Sequence, residues 1–231
     1  MNALSHDVDV EVWRVALDLP AETVERLKPL LADDELARAA RYHFESDRRR
    51  SVVRRAALRS IVAGYVGLAP AELRFAYGPQ GKPSLAASDA GLHFNLSHSG
   101  ELALVAAGRA SLGVDLERLR QVADADLVAR RFFTPNEVAL QRAVIDANRL
   151  FLQHWTRKEA IIKAVGKGLS MPLDTFDVSE PIVLTREMGG EQTWHLRDLR
   201  PADGFLAAIA TAEPIKRIAW RDWVPNAGFE Q

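Results

Sequence analysis

The sequence predicts an α+β fold made of two α/β halves, and three observations carry that prediction. At 231 residues the chain suits two packed units of roughly 110 residues each, together able to bury a full core. No low-complexity linker interrupts it, and each half runs roughly strand, helices, then strands, although no residue-level repeat is visible. The junction falls in the acidic strand near residues 111–118, which divides the chain into halves 1–112 and 113–231.

Residues 11–17 read as an early strand and 33–44 as a helix with Asp33 or Asp34 near its cap. A longer helix follows, for which Ser46 is a candidate cap. Val52, Val53, Ala56, Ala57, Ile61, Val62 and Tyr65 then keep helical spacing until Gly67 ends the run. Beyond the short segment 73–77, Gly78-Pro79-Gln80-Gly81-Lys82-Pro83 has the composition of a tight loop with a lysine at its tip. The nearly continuous apolar run 101–107 predicts a strand buried on both faces, with 111–119 as its expected neighbour. Thr134-Pro135-Asn136-Glu137 is a helix start carrying a cap residue, proline at the first position and a capping-box glutamate. Residues 150–165 form the next helix, closed by Gly166-Lys167-Gly168, and 175–224 alternate apolar runs with turns, as strands of a second sheet would.

Composition narrows the function. Zero cysteines remove thiolate metal sites, disulfides and cysteine nucleophiles, leaving hard oxygen donors as the expected metal shell. A net charge of −1 gives no overall field for nucleic acid, so an anionic partner must meet local clusters such as Arg48-Arg49-Arg50. Residues 1–10 lack a basic start with an apolar core, and no stretch approaches a membrane span, so a soluble cytoplasmic protein without a membrane partner is the expectation.

The chemistry concentrates in two places. In Gly113-Val114-Asp115-Leu116-Glu117, alternate strand residues point the same way about 7 Å apart, so both carboxylates can reach one cation. The same pattern describes an ordinary half-buried strand. Gly113, however, is expected to leave room for a ligand, and no base interleaves before Arg118. Downstream, Trp155-Thr156-Arg157-Lys158-Glu159-Ala160-Ile161-Ile162-Lys163 puts Glu159 and Lys163 one helical turn apart. Elsewhere that pair is a surface ion pair; beside the apolar stripe of Phe151, Trp155, Ile162 and Val165 it sits near a core boundary, where a carboxylate can hold metal or take a proton. Asn95-Leu96-Ser97-His98-Ser99, Lys82 and the arginine run are each weak signals alone, yet together they suit several phosphates.

In order, Gly81-Lys82-Pro83, Phe94-Asn95-Leu96-Ser97-His98-Ser99, the Gly-x-Asp-x-Glu block, Arg131-Phe132-Phe133, the Trp-x-x-Lys-Glu-x-x-x-Lys block and Gly166-Lys167-Gly168-Leu169 resemble the 4′-phosphopantetheinyl transferase superfamily. The resemblance is to its larger two-half, surfactin-synthetase-activating (Sfp-like) members. It covers residues 81–178, with weaker similarity over 33–66. It implies two pseudo-symmetric halves related by a pseudo-twofold, the 4′-phosphopantetheinyl transferase fold, with coenzyme A in the cleft between them. It also implies transfer of 4′-phosphopantetheine to a serine of an apo acyl or peptidyl carrier protein of fatty-acid, polyketide, nonribosomal-peptide or siderophore machinery. By that resemblance Asp115, Glu117 and Glu159 bind Mg2+, which Mn2+ could replace. Glu159 is the base, and Lys163 assists departure of adenosine 3′,5′-bisphosphate. Lys82, His98, Ser97, Arg50, Ser51 and Lys158 are the expected coenzyme A contacts. Where the family often has a lysine toward the 3′-phosphate, this helix offers Glu35, with Arg38 as the remaining base.

The carrier is expected on helices within 123–145, with Arg130, Arg131 and Arg142 as basic neighbours, and the enzyme is expected to act as a monomer. Two other readings are a different metal-dependent phosphohydrolase and a non-catalytic coenzyme A-binding module. Nucleic-acid binding ranks last, having no matching module.

Overall fold

A computed structural model describes residues 9–86, 91–187 and 190–225. The expectation about the chain's first residues therefore falls, for 1–8, outside the described part. Ten strands and six α-helices are described. In chain order they are β1 (Val10–Ala16), α1 (Ala21–Leu27), α2 (Asp33–Ala40), α3 (Glu45–Val66), β2 (Phe75–Tyr77), β3 (Pro83–Leu85), β4 (His93–Ser99), β5 (Leu102–Gly108) and β6 (Leu112–Arg118). They continue as α4 (Ala125–Phe132), α5 (Pro135–Ala143), α6 (Ala147–Val165), β7 (Ile182–Glu187), β8 (Gly190–Leu199), β9 (Phe205–Thr211) and β10 (Ile218–Asp222).

Two four-stranded sheets stack, with helices on their outer faces. The first sheet has order β10-β1-β5-β4 and the second β6-β9-β8-β7. Strand alternation sorts the core into layers. Ala103 and Val105 of β5 face the cluster under α1 to α3, while Leu104 and Ala106 face Val114, Leu116 and Ile209 of the other sheet. This is the strand buried on both faces that the apolar run predicts. Outside the second sheet, Ala160, Ile161 and Ala164 of α6 pack on Trp194, Leu196, Ala208 and Ala210.

Several local expectations need correction. The α2 helix stops at Ala40, because Phe44 must be extended (φ −87°, ψ 141°) to launch α3, and Phe44 rather than Ser46 occupies the cap position, without a side-chain bond. Asp33 and Asp34 lie in the first turn of α2, after Ala32. The helix stop at Gly67 (φ 70°) and the capping box of Thr134 with Glu137 form as read. β6 is not a ladder neighbour of β5. It pairs antiparallel with β9, placing Asp115 opposite Ala208. Nor do all strands of the tail join the second sheet, since β10 pairs in parallel with β1 and completes the first. Of the tail tryptophans, Trp194 is buried and Trp223 packs against the first core, while Trp220 is exposed.

Where the sheets meet edge to edge, side chains replace a backbone ladder. Asn95 Oδ1 accepts from the Val114 amide (3.0 Å), and Ser99 Oγ accepts from the Arg118 amide (3.0 Å). Ser97 Oγ donates to Asp115 Oδ1 (2.9 Å). Alternate residues of one β4 face thus stitch β6, which accounts for the Asn-x-Ser-x-Ser spacing.

Gly113 sets the depth of this seam. A Cβ there would fall inside the α6 backbone at Ala160 and Ala164. The room expected for a ligand is taken by the helix itself. Gly113→Ala is therefore expected to push α6 from β6 and cost about 1–3 kcal/mol of stability, read as a lower urea midpoint with the slope unchanged.

Candidate active site in the cleft between the sheets

A cleft of about 500 Å³ opens where α3, β4, β6 and α6 converge. One wall is acidic. Asp115 and Glu117 reach it from β6, and Glu159 from α6. The rest of the lining is basic or polar, with Arg38 from α2, Ser51, Arg54 and Arg55 from α3, and from β4 His98 and Ser97, the latter bonded to Asp115.

The acidic wall is electrostatically uneasy. Burial, then the negative charge of Asp115, raises the Glu159 carboxyl to about 7, against the opposing pull of Lys163. Burial and Asp115 also raise Glu117. Lys163 Nζ donates to Asp115 Oδ1 (2.6 Å) and Ser97 Oγ (2.9 Å), and its charge also bears on Glu159 and, together with that of Arg120, on Glu117. Asp115 Oδ2 is buried without a hydrogen-bond partner. A buried orphan oxygen in an all-oxygen donor set fits a hard divalent cation. Among the described residues, however, no three ligating groups already stand as a cage.

On the basic wall, Arg54 Nη2 donates to Tyr42 Oη (2.8 Å) and its Nη1 meets His98 Nε2. Burial, then the charges of Arg54 and Lys163, lowers His98 to about 4, so the ring is neutral near pH 7. Arg54 is a cleft residue that sequence reasoning missed. Its signal was present, since it lies three positions, or one turn, beyond Ser51. Arg38 lies over the Tyr77 ring at 5.5 Å.

Three expected contacts, Arg50, Lys82 and Lys158, are not in the cleft lining. Arg50 is bidentate to Asp18 (2.7 Å each), Arg49 donates to the Leu19 carbonyl and Arg48 to the His43 carbonyl, so the arginine run is spent on its own neighbourhood. Glu35 lines the cleft, but its carboxylate is already paired. It is buried between Arg55 and Arg59, and although burial alone would raise it, hydrogen bonds from Arg59 and the Ala32 amide hold its carboxyl below the ordinary value. Lys82 turns from the cleft to donate to the carbonyls of Leu112 (3.1 Å) and Ala164 (2.8 Å).

Lys158 is fully buried on the other side of α6. It pairs with Glu137 (2.9 Å) and donates to the carbonyls of Leu173 and Phe176 (2.7 Å each). Adjacent helical residues point about 100° apart, so Lys158 cannot share the face of Glu159.

A cleft with carboxylates suited to a hard cation and basic groups suited to phosphates has the chemistry to take a polyanion together with a metal. A 4′-phosphopantetheinyl transferase superfamily model matches residues 111–210, and a model of the 4′-phosphopantetheinyl transferase N-terminal region matches 20–110. The 4′-phosphopantetheinyl transferase HetI of Nostoc sp. is 39% identical over 209 residues, covering 88% of each chain. A 4′-phosphopantetheinyl transferase of Bacillus subtilis is 32% identical, covering 89% of this chain and 93% of its own. Sfp of the same species is 29% identical with the same coverage. The chain belongs to the 4′-phosphopantetheinyl transferase superfamily.

Two measurements check the site's physics. Lys158→Met, which leaves Glu137 buried without its cation, should cost about 3–5 kcal/mol in chemical denaturation. Glu159 binds its proton more tightly folded (about 7) than unfolded (4.5), so it makes the protein less stable as pH rises from about 4.5 to about 7. In chelator, Glu159→Gln should melt progressively above wild type across that window, with the two converging at its acid end.

Proposed function

We propose that the chain transfers the 4′-phosphopantetheine group of coenzyme A to a serine hydroxyl of an apo carrier protein and releases adenosine 3′,5′-bisphosphate. The observation that carries this reading is the convergence of Asp115, Glu117, Glu159 and Lys163 in one cleft, faced by Arg38, Arg54 and His98. The named activities of the relatives support it.

In this reading the serine oxygen attacks the β-phosphorus in line. Glu159 accepts the serine proton. Lys163 exchanges its bonds to Asp115 and Ser97 for the phosphate oxygens and neutralises charge on the leaving group. Asp115, Glu117 and Glu159 would hold Mg2+, or Mn2+ in its place, which supplies Lewis-acid neutralisation of the pyrophosphate. Arg38, Arg54 and His98 receive the remaining phosphate charge, with the buried hydroxyls of Ser51 and Ser97 beside them. The nucleophile belongs to the partner, which is why no triad is needed here.

The carrier docks beside the cleft on α4, α5 and the turn after them, where Leu127, Leu140, Val144 and Ile145 are exposed. Arg130 and Arg142 share Asp126 there, leaving Arg131 nearest to an unspent base in that trio for an acidic partner. The enzyme works as a monomer in the cytoplasm, and among the described residues no helix is long and apolar enough to cross a membrane.

Intact-protein mass spectrometry of an apo carrier incubated with the chain, coenzyme A and Mg2+ tests this. The expected result is a gain of one phosphopantetheine, abolished by chelator and slowed at least about 10²-fold by Glu159→Gln. Hydrolysis of coenzyme A without carrier would instead establish the phosphohydrolase, and binding without turnover the non-catalytic module.

A further inference from the structure

Lys82 sits on the loop that borders the cleft, yet only its neighbours Gly81 and Pro83 line the cleft itself. Its side chain passes into an adjoining cavity of about 320 Å³ and ends between two backbone carbonyls, Leu112 at the start of β6 and Ala164 in the last turn of α6. Carbonyls of a helix's last turn have no partner within the helix. Gly166 closes α6 by donating to Ile162, which leaves the Ala164 oxygen to Lys82 (2.8 Å) and Ser111 Oγ (3.3 Å). An ammonium at that end also meets the negative pole of the helix dipole. The setting is dry enough that burial lowers the Lys82 ammonium to about 8.

This clasp stands beside a point where helix and strand meet backbone to backbone. Gly113, one residue after Leu112, is the position whose absent Cβ admits Ala160 and Ala164. Asp115 and Glu117 follow two and four residues along the same strand, and Glu159 and Lys163 flank Ala160 and Ala164 on the same helix. The separation of the carboxylates on β6 from the carboxylate on α6 is set by how α6 lies on β6, and Lys82 is the charged group from the first half that ties the two together.

We propose that Lys82 is a positioning residue which clasps α6 to β6 and thereby sets the spacing of Asp115, Glu117 and Glu159, rather than a contact to the nucleotide phosphates. The inference rests on the metal and transferase reading above for its kinetic consequence and on geometry alone for its mechanical one.

The test uses Lys82→Met, which keeps length and removes the charge, in the full chain. Loss of the clasp raises the half-saturating Mg2+ concentration for carrier modification by about tenfold or more, as loss of groups that orient metal ligands does, while KM for coenzyme A at saturating Mg2+ stays within about twofold. A smaller folded fraction would lower kcat but shift neither midpoint. In the absence of metal and substrate, amide hydrogen exchange over residues 162–168 is faster in Lys82→Met than in wild type, an outcome independent of what the enzyme catalyses. Ser111→Ala, which removes the weaker tie to the same carbonyl, shifts both readouts in the same direction by less and serves if Lys82→Met does not fold. A KM for coenzyme A raised about tenfold with the Mg2+ midpoint and exchange unchanged would overturn the proposal in favour of a phosphate contact. No change in either midpoint or in exchange would overturn it altogether. If wild type modifies no carrier, the transferase reading fails, and the exchange measurement still decides the clasp.

Discussion

Everything in the cleft depends on one close approach. Helix α6 lies against β6 at backbone distance because residue 113 has no side chain, and no other standard residue would permit it. From that contact the placement of the acidic wall follows: one pair of carboxylates comes up from a strand, the third comes down from a helix, and a lysine one turn on is left to serve them. The β4 side chains Asn95, Ser97 and Ser99 then hold the other sheet's edge to the same strand. The basic wall, carried by α2, α3 and β4, is registered against the acidic one through that stitching. A glycine that reads as open space is in fact pressed against helix backbone.

The cleft also accepts an electrostatic cost that the rest of the fold avoids. Elsewhere, and even at the cleft's own margin, buried charges are matched with care: Glu137 with Lys158 in the interior, and Glu35 with Arg55 and Arg59 beside the cleft, each with further hydrogen bonds. Within it, burial and the charge of Asp115 raise both Glu159 and Glu117, and an aspartate oxygen is buried with nothing to bond. A protein that satisfies its buried ions elsewhere and leaves these unsatisfied has a site built to be completed by something it binds.

The sequence made the elements legible wherever a local signal was strong. Helical spacing over residues 52–65, the apolar strand 101–107 and the Thr134-Pro135-Asn136-Glu137 start all speak through nearest neighbours along the chain. The acidic strand and its partner helix were legible as chemistry, because carboxylate spacing obeys the strand and helix periods. What was not legible was pairing across space. Nothing local tells β6 to take β9 rather than β5, or tells the arginines at 48 to 50 to bond Asp18 and the backbone instead of a phosphate. Lys158 misled through adjacency: it stands beside Glu159 in sequence, but a helix turns it to the opposite interior, where Glu137 waits.

The parallel pairing of β10 with β1 joins partners far apart in the chain; Arg14 meets Asp222, 208 positions later. Until that late strand exists, β1 presents an open edge of unpaired amides and carbonyls, the kind of surface that recruits stray strands. The first sheet therefore cannot be sealed as it is synthesised, however early its other strands assemble, and so many non-local contacts favour slow folding. The two ends of the described chain are thus joined in one sheet. Severed at the junction, the first would lose its outermost strand, so neither division of the gene nor fusion of the first half alone would yield a self-sufficient module.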